Sequence, residues 1–128
     1  MLKKREAKSK SNSRIVVFEP DLLFSSRIES EATRLGADVE IVTDLARLLS
    51  NLTDSNPALL ILNLDSLKND ITRLSDGVRV KSLACVGYYS HVNTQLAQEA
   101  KRAEIGMIMP RGVFVKRIRE IIVQVLRG

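Results

Sequence analysis

The chain has 128 residues, of which 45% are apolar and only 4% aromatic, so it can bury one sizeable core but offers little for stacking RNA bases. A single cysteine, Cys85, excludes an internal disulfide, and no apolar run reaches the roughly 18–20 residues that cross a bilayer. The net charge of +5 is confined to residues 1–14, where Lys3, Lys4, Arg5, Lys8, Lys10 and Arg14 face Glu6 alone, while the remaining 114 residues carry 14 basic and 14 acidic groups.

Residues 1–13 read as a Lys- and Ser-rich tail, expected to be disordered. The sharper alternative is an electrostatic arm for nucleic acid or an anionic surface. No hydrophobic segment follows the basic run, so it is not a secretion signal, and a cytoplasmic protein is expected.

Strand and helix patterns then alternate five times. Ile15–Glu19 (IVVFE) predicts a buried strand. Leu23 and Phe24, Ile28, Ala32 and Leu35 recur at helical spacing, and Gly36 supplies a stop. Val39, Ile41 and Val42 make a second strand, and Leu45, Leu48, Leu49 and Leu52 an amphipathic helix. Pro57 precedes a third strand, Leu59–Asn63. A third helix falls within Ser66–Val78, where Leu67, Ile71 and Leu74 are its sparse apolar positions. Ser82–Tyr88 predicts the fourth strand, and Leu96, Ala97, Ala100 and Ala103 the fourth helix. Gly106–Met109, closed by Pro110, is the fifth strand. Val115, Ile118, Ile121, Ile122 and Val125 line the fifth helix.

Alternating β and α with continuous apolar strands implies an α/β three-layer sandwich around a parallel sheet. Right-handed crossovers favour the flavodoxin-like (βα)5 order 2-1-3-4-5 over residues 14–128. Ligands of such sheets gather at the carboxyl ends of the strands. That selects Glu19, Pro20 and Asp21, then Asn63 to Asp65, Tyr88 to His91, and Pro110 to Gly112.

The FEPD corner, the LLILNLDS strand end and the IGMIMPRG segment make the chain resemble response-regulator receiver domains (CheY-like). The GYYSHVN and MPRGVF stretches are further similar to stand-alone receivers with degenerate sites. The resemblance implies a site where an acidic corner and an aspartate hold magnesium, the aspartate accepts a phosphoryl group, and a hydroxyl and a lysine read it. Each position is altered here. Glu19 keeps one carboxylate, Pro20 has no ligand atom, and Asn63 stands where the acceptor is expected. Asp21 lies one residue beyond the matching position. The hydroxyl position falls on Tyr89 or Tyr88, a one-residue register left open. Arg111 replaces the lysine and Gly112 the following proline. These residues (Glu19, Asp21, Asn63, Tyr89 and Arg111) form a degenerate phosphorylation site. It is expected to be a closed polar cluster, with Arg111 paired to Glu19 or Asp21 and hydrogen-bonded to Asn63. No bound metal or cofactor is implied.

Asp65 would be the acceptor if the strand slipped by two residues, but it would then sit away from Glu19. His91, the only histidine, has no partners for a metal site and reads as a helix-entry residue. Cys85 reads as a small hydrophobe. No glycine-rich phosphate loop and no Ser-His-acid set is present. Glu19-Pro20-Asp21 distantly resembles the D-x-D corner of haloacid-dehalogenase-type phosphatases, but Glu is a poor substitute for their aspartate nucleophile. Catalysis is therefore not expected. In receivers the fourth helix, fifth strand and fifth helix form a common dimer and partner surface. Here that surface would carry Lys101, Arg102, Lys116, Arg117 and Arg119. The expectation is a pseudo-receiver that signals by phosphorylation-independent contact with another protein or a second copy of itself. The runner-up is a nucleic-acid-associated regulator using the basic tail.

Overall fold

The five apolar runs form one parallel sheet in a computed structural model that describes residues 12–54, 56–90 and 92–127. In chain order the elements are β1 (Arg14–Phe18), α1 (Leu22–Arg34), β2 (Asp38–Val42), α2 (Leu45–Asp54) and β3 (Leu59–Asn63). There follow α3 (Leu64–Leu67), a 3-10 turn (Lys68–Asp70), α4 (Ile71–Val80), β4 (Cys85–Tyr89), α5 (Thr94–Arg102), β5 (Met107–Pro110) and α6 (Arg111–Arg127). The strand order is β2-β1-β3-β4-β5, the flavodoxin-like arrangement 2-1-3-4-5. His91 and residues 1–11 of the basic tail lie outside the described residues. Asn12 and Ser13 lead into β1 and are hydrogen-bonded. The Asn12 amide donates to the Asn56 carbonyl at 2.9 Å, and the Ser13 carbonyl accepts from the Asp38 N–H at 2.9 Å.

Side chains alternate across the sheet and divide the core in two. Ile15 and Val17, Leu59 and Ile61, Val86 and Tyr88 meet α1 and α6 through Phe24, Ile28, Phe114, Ile118 and Ile122. Val16 and Phe18, Leu60 and Leu62, and Cys85 meet α2, α4 and α5 through Leu48, Leu74 and Ala100. Both faces are therefore covered, which is why the strands read as unbroken apolar runs.

The third predicted helix begins earlier than its apolar pattern suggests. Asn63 caps α3 directly, its Oδ1 accepting the Ser66 N–H at 3.3 Å. Leu64 then folds over β4 at Gly87, where a Cβ would lie 2.9 Å from the leucine side chain. The turn at Lys68 (φ 48°) separates this single helical turn from α4. The fourth and fifth predicted helices are thus α5 and α6. Gly36, with φ 95°, ends the first helix as expected.

Burial sets the chemistry of Cys85. Burial of its thiol pushes its pKa up to about 12 from the ordinary 9.0. An acid whose folded pKa is raised keeps its proton after the unfolded chain has lost its own. The stabilisation is complete below pH 9 and is lost as pH rises towards 12, at up to about 1.4 kcal/mol per pH unit. Urea unfolding between pH 8 and 10.5 checks this: stability should fall steeply, and Cys85→Ala should flatten the fall while lowering the starting value. An unchanged slope in the variant would assign the loss elsewhere.

Candidate functional site

Parity along the strands carries three polar residues to one point at the carboxyl end of the sheet. Glu19 follows Ile15 and Val17 on the α1–α6 face, Asn63 follows Leu59 and Ile61, and Tyr88 follows Val86. The ladder pairs Asn63 with Tyr88, so the two side chains are neighbours. Of the two tyrosines left open by the sequence, Tyr88 enters the site. Tyr89, named for that position, points to the opposite face and packs against the α2–α4–α5 core. The register between β3 and β4 decides this, and neither strand's own residues contain it.

Glu19 is the centre of the arrangement, with 1% of its surface exposed. The Asn63 amide donates to both carboxylate oxygens at 3.0 Å each. The Tyr88 hydroxyl donates to Oε1. The Asp21 backbone N–H donates to Oε2 at 2.9 Å. A buried charge is tolerable only when such donors replace water, and charge-assisted bonds are the stronger kind. The Asn63 amide is fully used, since its NH2 faces Glu19 and its oxygen caps α3. An aspartate could fill the capping half of that role but not the donating half.

Tyr88 is held in place by aromatic packing. Its ring stacks on Phe114 at 4.7 Å between centroids and meets Phe24 edge-on at 5.4 Å. Burial, followed by the hydrogen bond to Glu19, drives its phenol pKa well above the ordinary 10.0. The phenol therefore stays protonated and remains a donor to the carboxylate.

Arg111 departs from expectation. It pairs with neither Glu19 nor Asp21 and does not bond Asn63; its guanidinium carbon lies 4.0 Å from the centre of the Phe24 ring. As the first residue of α6 it leans outward across α1, where a cation over an aromatic face is favourable. The three neutral donors already satisfy Glu19, so the cation is not needed there. Asp21 also turns away, its Oδ1 accepting the Leu23 N–H at 3.0 Å as the N-cap of α1. Asp65 is engaged separately. It accepts from the Ser90 N–H at 2.9 Å and from the Asn93 amide at 2.7 Å, strapping α3 to the loop after β4. Among the described residues no group of three or more His, Cys, Asp or Glu side chains could hold a metal ion.

Three of the five cations named for an interaction surface have partners or neighbours in the structure. Arg117 pairs with Glu120 at 3.0 Å and reaches the Met107 sulfur at 4.0 Å. Arg102 lines a groove against α4 with Thr72 and Ser75. Lys116 lines a cleft with Ser90, Arg111 and Gly112. Among the described residues no helix is long and apolar enough to cross a membrane.

No family model and no curated protein matches the chain. Solved structures do resemble it. A response regulator from Thermotoga maritima aligns with a TM-score of 0.72 at 10% identity, over 91% of this chain and 99% of that one. The signal receiver domain of a response regulator from Bermanella marisrubri gives 0.72 at 20% identity, over 91% and 99%. The phosphorylated cyanobacterial phytochrome response regulator gives 0.72 at 12% identity, over 90% and 91%. At such identities the likeness is one of architecture: over nine-tenths of its length, this chain has the fold of response-regulator receiver domains.

Proposed function

We propose that the protein is a pseudo-receiver: a signal-transduction module that docks on another protein without being phosphorylated. The observation that carries this reading is the saturation of Glu19 by Asn63, Tyr88 and the Asp21 N–H. Phosphoryl transfer to a receiver needs a carboxylate nucleophile and a cation held beside it. Here the residue at the strand end is an amide, and the neighbouring carboxylate spends its lone pairs on protein donors. Magnesium demands octahedral oxygen geometry and gives up its waters reluctantly, so it competes poorly with four fixed hydrogen bonds. No step of catalysis is assigned to this site.

Incubation with a small-molecule phosphodonor and magnesium, followed by intact mass measurement, tests the proposal. The expected mass is that of the unmodified chain. A stable phosphoryl adduct would overturn it, and an adduct abolished by Asp65→Asn would move the acceptor to Asp65. The strapping of Asp65 by Ser90 and Asn93 speaks against that second outcome, because a phosphoryl group there must break both bonds.

A further inference from the structure

Exposed apolar side chains gather at one end of the molecule. Among the described residues five large ones are exposed, and four of them lie at the carboxyl end of the sheet. Leu22 and Leu23 (84% exposed) open α1 directly after β1, and Val113 falls in the first turn of α6 directly after β5. Val92 lies in the loop after β4. Apolar side chains scattered singly over a surface need no explanation, but a cluster of them marks a surface that another molecule covers.

The residues packed beneath hold this cluster together. Leu23 and Val113 are the chain neighbours of Phe24 and Phe114, whose rings meet edge-on at 6.4 Å and bring the two helix starts side by side. Arg111 spans the same junction over the Phe24 ring. The same arginine lines a cleft of about 450 Å³ with Ser90, Gly112, Val115 and Lys116. The Ser90 carbonyl accepts the Asn93 N–H at 2.8 Å, closing the turn that contains Val92.

The charges here are one-sided. Glu19, Asp21 and Asp65, which follow β1 and β3, already accept hydrogen bonds from within the chain. Arg111 and Lys116, by contrast, have no carboxylate of the described residues within 4.0 Å. Neutral donors saturate Glu19, so the Arg111 guanidinium stays at the rim, where its planar fork can still take a carboxylate from outside.

We propose that this end of the sheet docks a segment of another protein in which apolar side chains sit beside carboxylates. The apolar side chains cover Leu22, Leu23, Val92 and Val113, and a carboxylate enters the cleft between Arg111 and Lys116. The inference deepens the reading of a docking module and rests on that reading for its role in signalling. Other occupants fit less well. A second copy related by a two-fold axis would set one cationic patch against another. An anionic bilayer is held by a belt of several cations beside an apolar face, and this patch carries two, set in a cleft. A nucleic-acid backbone is held by cations and polar donors and makes no use of four exposed aliphatic side chains.

The experiment is a selection of displayed random peptides of about 12 residues on the full chain, with the selected sequences then titrated by fluorescence anisotropy. The selected peptides should be enriched in aliphatic residues next to Asp and Glu. They should bind at least about tenfold more weakly to Leu23→Ser and to Lys116→Glu, each checked for fold by circular dichroism. Their affinity should fall between about 50 and 200 mM salt. Met107→Ser should bind them unchanged, because Met107 is exposed at the opposite end of the sheet. A selection without acidic, apolar peptides overturns the proposal, as do peptides that bind both rim variants as tightly as the parent. Self-association lost in Leu23→Ser, read by sedimentation, assigns the patch to a second copy instead. Tighter binding to phosphatidylserine vesicles than to the peptides assigns it to a membrane, and either result overturns the proposal. A failed selection beside an unmodified mass in the phosphodonor experiment removes this surface and leaves the pseudo-receiver. A phosphoryl adduct beside a successful selection does the reverse.

Discussion

Replacing Asn63 with aspartate is expected to destabilise the protein at neutral pH by about 2–4 kcal/mol, although the two side chains are nearly isosteric. The substitution removes the NH2 group that donates to both Glu19 oxygens at 3.0 Å. It also sets a second carboxylate against one that is 1% exposed. Two carboxylates so close cannot both ionise without a cation, so one of them takes up a proton and its pKa rises. A raised folded-state pKa costs stability as pH climbs through it. The deficit should therefore be largest near pH 7 and shrink below about pH 4, where both groups are protonated in either state. Millimolar magnesium should recover part of the loss at pH 7, since a pair of carboxylates is the arrangement that ion favours. Urea melts of both proteins at pH 4 and 7, with and without magnesium, measure this directly. Equal stability at pH 7 without metal would mean that Asn63 does not hold the site closed.

Truncating Phe114 to alanine should be the costliest change among the aromatics, about 3–5 kcal/mol. Phe114 is completely buried, stacks on Tyr88 and meets Phe24 edge-on at 6.4 Å. Part of the loss is the cavity itself. The rest arises because Tyr88 loses the wall that aims its hydroxyl at Glu19. Spectrophotometric titration separates the two contributions. The Tyr88 phenol should ionise at a lower pH in Phe114→Ala, whereas Ile121→Ala, elsewhere in the same cluster, should reduce stability without moving that titration. If both variants leave it unmoved, Phe114 acts as filler alone.

Much of the architecture is written in the chain because a parallel sheet covered on both faces forces long apolar runs, and such runs are visible. Gly36, Pro57 and the spacing of Leu45 to Leu52 likewise speak for themselves. The segment after β3 was harder. Its helix starts on a cap, Asn63, and on one leucine seated over Gly87, so it shows no repeating pattern of its own. The site was legible as a set of positions but not as a set of contacts. Glu19 and Asn63 meet directly, with no arginine between them. The choice of Tyr88 over Tyr89 hangs on inter-strand register, and the release of Arg111 to Phe24 follows from donors that arrive from elsewhere. Charge pairs are easily imagined from a sequence, yet a carboxylate surrounded by neutral donors needs no cation.

The cluster around Glu19 also bears on the order of events in folding. Its partners come from distant parts of the chain: Asn63 is 44 residues from Glu19, and Tyr88 is 69. Contacts of such long range form only after much loop entropy has been surrendered, so they arise late, once the central strands have aligned. A late contact governs how slowly the native state comes apart rather than how fast it is reached. Tyr88→Phe should accordingly steepen the loss of native molecules in stopped-flow unfolding while leaving refolding close to its original rate. A slowed refolding limb instead would place the carboxylate and its phenol inside the nucleus.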